Sequence, residues 1–283
     1  LTNHLLKIRN QRVRPGTDDK IIVSWNAMLI RGLVDAGLAI GDQSLIGLAE
    51  SNYRFIEKHL MIEGKLLRSF RKKANPTEGF LDDYAFMIQA CISLYDVTFN
   101  EKYLSEAFRL TNYVLAQFHD PSDGYFFYTG KASDRLISRK KELHDNVIPS
   151  SNGLMASLLL RMSCYFNKPE WKILAERMIV RQTDAMLRSP AYMCGWNMAM
   201  LELIRGFDEI SITGDHAALR RREFSSKYLP FALYAGTNGH SDLPFLKGKY
   251  VSEKFNTFFV CRNYACQQPV STIEQAIQLL GVK

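Results

Sequence analysis

Three segments of the 283-residue chain begin alike and recur about every sixty residues. They are residues 24–28 (SWNAM), 81–85 (LDDYA) and 150–154 (SSNGL). Each segment starts an apolar run with helical spacing, and a short polar break and a second helical run follow it. This pattern is typical of repeated helical hairpins. Stacked hairpins can curl into a toroid, in which the inner helices direct their N-terminal polar residues toward one central cavity.

The same spacing predicts the individual elements. Hairpins are expected with helices at 25–40 and 44–61, at 81–98 and 101–118, and at 150–166 and 169–187, followed by an unpaired inner helix at 192–204. Residues 125–128 are expected to form a short strand. From about residue 207 the pattern changes to strand candidates and a last helix at 272–280. We therefore predict a mainly α fold, with a partial α/α toroid over 1–206 and a small C-terminal α/β appendage over 207–283.

Composition limits the classes of function. The net charge of +7 comes from basic clusters such as 139–141 and 220–222, which we interpret as solvated surface because no nucleic-acid-binding motif accompanies them. No apolar run reaches the roughly 18–20 residues that a membrane span needs. The five scattered cysteines favour a reducing compartment over a disulfide framework. We expect a cytoplasmic protein with no nucleic-acid or membrane partner, no cofactor and no metal.

An ordered set of short motifs runs through nearly the whole chain, from residue 12 to about residue 280. In chain order they are RP (14–15), DDK (18–20), WN (25–26), LR (67–68), LDDYA (81–85), LY (94–95), GYF (124–126), PSSN (149–152), ISITG (210–214) and VC…AC…P (260–269). Each motif is weak by itself, but the order of the set is specific. The set resembles the spermatogenesis-associated, thioredoxin-like-domain proteins, which include bacterial YyaL-type proteins.

The resemblance implies a fold more securely than a reaction. Full-length members resemble a thioredoxin-like domain followed by an α/α toroid similar to six-hairpin glycosidases and N-acylglucosamine 2-epimerases. This chain matches the C-terminal half, which agrees with a first residue, Leu1, that is not methionine and with about three and a half predicted hairpins. The resemblance therefore implies that a thioredoxin-like domain and N-terminal toroid hairpins are partners of this chain.

Carboxylates at the predicted inner-helix starts are the candidates for chemistry. A glycosidase needs one carboxyl to protonate the leaving oxygen and a second to activate water or attack the sugar. We predict Asp83 as the acid or base and Asp19 as its partner, because each belongs to an adjacent acidic pair next to an inner helix. Capping of the helix N-terminus is the competing interpretation for every one of these aspartates.

The predicted substrate-binding residues surround those acids. Trp25 and Tyr84 offer aromatic faces for a sugar ring, and Arg68 can bind a carboxylate or phosphate, or pair with Asp82 or Asp83 instead. Asn26 and Asn152 occupy equivalent places in the repeat, where they bind ligand hydroxyls or cap helices. The predicted binding set is Trp25, Asn26, Arg68, Asp82, Tyr84, Asp145 and Asn152.

Two functions remain open at this point. The first is hydrolysis or epimerisation of a sugar or sugar-like small molecule. The second is a non-catalytic scaffold that binds a glycan, a peptide or a partner and works with a thioredoxin-like domain. Cys261 and Cys266 form a redox pair, a zinc half-site or, as we favour, two ordinary thiols.

Overall fold

Helical hairpins make up most of the structure, a computed structural model that describes residues 1–71, 77–131, 138–250, 255–262 and 265–281. An exposed first helix, α1 (Thr2–Asn10), precedes them. The hairpins are α2 (Val23–Ile40) with α3 (Gln43–Leu60), α4 (Leu81–Thr98) with α5 (Glu101–Gln117), and α6 (Ser151–Phe166) with α7 (Pro169–Val180). A short α8 (Thr183–Arg188) and the helix α9 (Cys194–Arg205) follow.

The inner helices form an arc. Helix α2 packs against α4, α4 against α6, and α6 against α9, while α3, α5 and α7 lie outside their own hairpin partners. Helix α4 is buried along nearly its whole length, whereas α2 buries only one side, through residues such as Ala27, Ile30 and Val34. The predicted partial α/α toroid is confirmed.

Helix α2 is also the one described helix that is long and apolar enough, by length and composition, to cross a membrane. Its mean hydropathy is 1.2 over 18 residues, and a third of that window is buried inside the fold. The helix packs on α3 and α4.

The third outer helix differs from the prediction. The expected helix at 169–187 is interrupted after Val180, and a second helix starts at Thr183. The interruption coincides with two contacts to the preceding loop: Arg181 donates to the carbonyl of Asp123, and Gln182 Nε2 donates to the Tyr125 hydroxyl at 2.6 Å. Tertiary hydrogen bonds at 181–182 therefore accompany a break that the helical spacing does not reveal.

Short extended segments connect the hairpins. Strand β1 (Ile21–Ile22) pairs with β4 (Ser69–Phe70), and β2 (Met61–Ile62) pairs with β3 (Lys65–Leu66), both antiparallel. The expected strand at 125–128 is wrong: only Phe126 pairs, in an isolated bridge with His119. The β1–β4 pairing brings Arg68 next to the start of α2, where the Arg68 carbonyl accepts a hydrogen bond from the Val23 N–H at 3.0 Å.

The C-terminal region contains a four-stranded sheet in the order β6-β5-β7-β8. Its strands are β5 (Asp208–Thr213), β6 (Ala232–Thr237), β7 (Thr257–Arg262) and β8 (Ala265–Cys266), and its helices are α10 (Ala217–Glu223) and α11 (Ile273–Leu279). Strand β5 is buried throughout, parallel to β6 and antiparallel to β7. The division at residue 206 stays a prediction, because the main apolar cluster continues into this region through Leu233 and Phe245.

One buried ion pair joins this region to the toroid. Arg221 of α10 donates to the carboxylate of Asp96 on α4 at 2.7 Å, and its guanidinium lies 3.6 Å from the centre of the Tyr234 ring. Close backbone packing adds to this contact, because Gly236 on β6 faces the Phe99 ring at the end of α4. The sheet therefore covers one part of the concave side of the arc.

Candidate functional site

Asp83 lies at the start of α4 and is completely buried. Its Oδ1 accepts a hydrogen bond from the Ser24 N–H at 3.0 Å, and its Oδ2 accepts from the Phe80 N–H at 2.9 Å. Arg68 Nη1 donates to the same Oδ2 at 3.0 Å. The carboxylate therefore caps its own helix and the neighbouring helix α2 at once.

Asp82 and Arg68 complete this cluster. Arg68 Nη1 lies 2.9 Å from each carboxylate oxygen of Asp82, and the Tyr128 hydroxyl donates to Asp82 Oδ2 at 3.3 Å. Burial and the neighbouring Asp82 carboxylate raise the pKa of Asp83 to about 6, although Arg68 opposes this shift. A raised pKa suits a general acid, but the carboxyl group has no exposure to solvent.

Asp19 differs from this cluster in its exposure to solvent. Its side chain is 63% exposed and forms an ion pair with Arg71 at 2.7 Å. It belongs to the irregular segment before β1 and not to a helix start. The pairing of Asp19 with Asp83 as acid and base therefore stays a prediction, in which Asp19 is mostly exposed and Asp83 is fully buried.

Trp25 and Asn26 share a shallow surface hollow of about 380 Å³ with Phe55 and Asn52. The Trp25 ring is 62% exposed, as a stacking residue requires. Asn26 donates instead to the Ile22 carbonyl at 2.9 Å, which ties its amide to the chain just before α2. Of this predicted pair, Trp25 alone has a free side chain.

The remaining predicted binding residues make internal hydrogen bonds. The Tyr84 hydroxyl accepts from the Leu66 N–H at 3.0 Å, and its ring stacks on Tyr113 within the core. Asn152 is fully buried and exchanges hydrogen bonds of 2.8 and 3.0 Å with the backbone of Phe126. Asp145 accepts from the backbone N–H groups of Ser150 and Gly195, each at 2.8 Å, and thus joins the starts of α6 and α9.

A different group of residues lines a larger cavity. The cavity has a volume of about 750 Å³ and lies on the concave side of the arc, where α2, α4, α6 and α9 each contribute to its wall. Its apolar lining includes Phe86, Leu158 and Met198, and the segment 228–234 covers it from the C-terminal region. None of the predicted catalytic or binding residues is among the described residues that line it.

The charged side chains of this cavity are arranged in pairs. Arg161 of α6 donates through Nε to Glu202 of α9 at 3.1 Å, and Ser157 donates to the other oxygen of Glu202 at 2.5 Å. Arg221 and Asp96 form a second pair at 2.7 Å. A third, more exposed pair joins Arg31 and Asp35 on α2 at 3.4 Å.

Uncharged polar groups complete the lining. Gln89 and Ser93 lie one helical turn apart on α4, and their side chains have no hydrogen-bond partner within the described part of the chain. Tyr228 is 88% exposed at the cavity rim. A signal for these residues was present in the sequence, because inner helices that are otherwise apolar carry polar residues at helical spacing: 31 and 35, 89, 93 and 96, and 157 and 161.

Comparison with known proteins supports the resemblance. No family model matches the chain. Over 288 residues it is 26% identical to spermatogenesis-associated protein 20 of Homo sapiens, a match that covers 94% of this chain and 37% of that protein. An uncharacterized protein of Caenorhabditis elegans is 26% identical over 98% of this chain and 40% of its own length. The chain is similar to the spermatogenesis-associated proteins. It spans well under half the length of these relatives.

Among solved structures, a GH76 alpha-mannanase of Bacteroides thetaiotaomicron has the same type of fold. The two superpose with a TM-score of 0.56 at 13% identity, over 82% of this chain and 67% of the mannanase. At this identity the likeness concerns the fold alone, an α/α toroid.

Proposed function

We propose that the chain binds a carbohydrate in the 750 Å³ cavity of its concave face. The cavity combines apolar surface with uncharged hydrogen-bonding groups, which is the chemistry that a sugar ring and its hydroxyls require. Its volume lies within the range of known small-ligand sites, roughly 300–1,000 Å³. This cavity is the observation that carries the proposal, and the toroid fold shared with a mannanase agrees with it.

Tyr228 supplies the aromatic face in this proposal. Its ring is 88% exposed at the rim of the cavity, so its flat surface is free to pack on the C–H face of a sugar. Gln89 and Ser93 would bind hydroxyl groups, since an amide and a hydroxyl both donate and accept hydrogen bonds. The proposal therefore separates a stacking residue at the rim from hydrogen-bonding residues on α4.

Calorimetric titration with α-1,2-linked mannotetraose and with cellotetraose tests the site. Tyr228→Ala should weaken binding of the saccharide at least about tenfold, on the usual contribution of a buried aromatic contact. Trp25→Ala is the matched control, because Trp25 is the other exposed aromatic candidate and lies in the separate hollow. If only the Trp25 variant binds more weakly, the binding site is the hollow at Trp25. If the wild type binds neither tetraose, the proposal is overturned.

Cys194 offers an independent check of location. It lines the cavity and is the one exposed free cysteine among the described residues, while Cys91 is buried and Cys164 is partly buried. A bound saccharide should slow alkylation of Cys194 by N-ethylmaleimide in proportion to occupancy. Alkylation at an unchanged rate under saturating saccharide would place the ligand elsewhere.

Hydrolysis or epimerisation of the sugar is a second candidate function. The raised pKa of Asp83 favours it, because a general acid must hold its proton near neutral pH. Asp83→Asn should then abolish turnover of the saccharide, while Asp19→Asn would test the predicted partner. Equal product formation by the wild type and both variants would exclude these residues as the acid and base.

Because Asp83 is enclosed by the protein, we favour carbohydrate binding without catalysis over hydrolysis or epimerisation. Both of its oxygens accept hydrogen bonds from protein groups, and it is not among the described residues that line the cavity. Cooperation with a thioredoxin-like domain and a cytoplasmic location are further proposals, which rest on the resemblance and on the cysteine content. Co-purification of a separately expressed thioredoxin-like domain with this chain tests the first.

A further inference from the structure

We infer that the cavity selects neutral saccharides and discriminates against acidic ones such as uronates. This inference rests on the proposed function and adds the class of ligand to it. It follows from the pairing of the charged groups in the cavity, and it is the opposite of what the net charge of the chain would suggest. A net charge of +7 would by itself favour an anionic ligand.

The described lining contains three arginines and three carboxylates. Arg161 pairs with Glu202, Arg221 with Asp96, and Arg31 with Asp35, so the charges of the lining sum to zero. Two of the pairs connect different elements, α6 with α9 and α10 with α4, and their carboxylate side chains are only 4% and 22% exposed. These guanidinium groups are therefore committed to holding the walls of the cavity together.

An acidic sugar would have to compete for one of these arginines. Separating the Arg161–Glu202 or the Arg221–Asp96 pair leaves a largely enclosed carboxylate without its partner, which is strongly unfavourable, whereas Arg31 is held by the exposed Asp35. A sugar hydroxyl has no such requirement, because Gln89 and Ser93 are uncharged and have no partner within the described chain. A neutral ligand thus meets uncharged groups that are free to form hydrogen bonds, whereas an anion meets arginines that are already paired with carboxylates.

The Arg31–Asp35 pair is the place where this selectivity can be altered. Its two side chains are 48% and 62% exposed, and the pair joins residues one turn apart on α2 at 3.4 Å. Exposed pairs of this kind contribute little to stability. Asp35→Asn should therefore leave the fold intact and release Arg31 at the cavity wall.

The experiment compares each neutral tetraose with its own form oxidised at C6, in which carboxylates replace the primary hydroxyl groups. The wild type should bind the neutral form more tightly, with an affinity that does not change between 50 mM and 500 mM salt, because a neutral ligand has no charge to screen. Asp35→Asn should raise the ratio of affinity for the oxidised form to affinity for the neutral form by about two- to fivefold.

Glu223→Gln is the matched control. It removes one negative charge from another exposed helical pair, Arg220–Glu223, and neither residue is among the described residues of the cavity lining. An equal gain for the oxidised tetraose in both variants would indicate a general charge effect and overturn the inference. Tighter binding of the oxidised form by the wild type would also overturn it, while the proposed carbohydrate site would stand. Failure of all four probes to bind would remove both.

Discussion

The carboxylate of Asp83 accepts a hydrogen bond from the backbone N–H of Ser24 at 3.0 Å, across 59 residues of sequence. The donor belongs to the first turn of α2 and the acceptor to the first turn of α4, so one carboxylate joins two adjacent inner helices. Asp145 repeats the arrangement between α6 and α9. Acidic residues at the inner-helix starts therefore connect neighbouring hairpins of the arc.

Replacing Asp83 with Asn should destabilise the protein by about 1–3 kcal/mol, as expected when buried hydrogen-bond donors lose their acceptor. Asparagine has one acceptor oxygen where the carboxylate has two. Its NH2 group would therefore face a donor, either the Ser24 N–H or the Phe80 N–H and Arg68. Urea unfolding measures the change. Asp19→Asn, at a 63% exposed side chain, should stay within about 0.5 kcal/mol. An unchanged midpoint for Asp83→Asn would argue against the capping role and in favour of a purely catalytic one.

The same carboxyl group predicts a pH dependence of stability. Burial raises the folded-state pKa of Asp83 from the ordinary value of 3.8 to about 6, so the folded protein binds this proton more tightly than the unfolded chain. The contribution of Asp83 is therefore fully present below pH 3.8 and is lost as the pH rises through 6. The difference in unfolding free energy between wild type and Asp83→Asn should shrink over that interval. A difference that grows with pH would contradict the assigned direction of the pKa shift.

Replacing Asp145 with Ala should loosen the start of α9. The N–H groups of Ser150 and Gly195 would both lose their acceptor, at a cost of about 1–3 kcal/mol. Amide hydrogen exchange at Gly195 should accelerate more than exchange in the middle of α4. His144→Ala, at the exposed neighbouring position, is the control and should change neither rate.

Replacing Gly236 with Ala should weaken the docking of the C-terminal sheet on the toroid. A Cβ atom there would lie 2.2 Å from the Phe99 ring and 2.8 Å from the Ile212 carbonyl oxygen, which forces one of them to move. We expect a loss of about 1–3 kcal/mol, as for other overpacked core positions. Gly239→Ala is the matched control, because a Cβ there would meet no atom within 4 Å. Equal thermal midpoints for the two variants would show that the contact adapts without cost.

The cysteines predict a simple thiol count. Cys261 and Cys266 are opposite residues on β7 and β8 and are joined by a disulfide, so the expectation of two ordinary thiols was wrong. Titration of the denatured protein with Ellman's reagent should detect three thiols before reduction and five after it. If the cells are lysed in N-ethylmaleimide, mass spectrometry should find three alkylated cysteines; five alkylated cysteines would show that the pair is reduced in the cell, as is usual for cytoplasmic proteins.

Local patterns in the sequence were enough to predict the helical hairpins. The repeated starts and the helical spacing predicted α2 to α6 to within a few residues, because each helix buries one periodic apolar face. The N-cap at Asn100 was also predictable, since its side chain accepts from the Lys102 N–H at 3.1 Å. Helix α3 is capped by Asp42, whose side chain accepts from the Ser44 N–H.

The sequence by itself determined which residues form the inner and outer helices, because helical periodicity is a property of neighbouring residues. Only the tertiary structure decided the role of the acidic helix starts and the position of the cavity. Whether Asp83 faces solvent or the Ser24 N–H depends on a helix 59 residues away. The pairing of Arg221 with Asp96 spans 125 residues. Such partners meet only when the hairpins and the sheet pack together, and no local pattern specifies them.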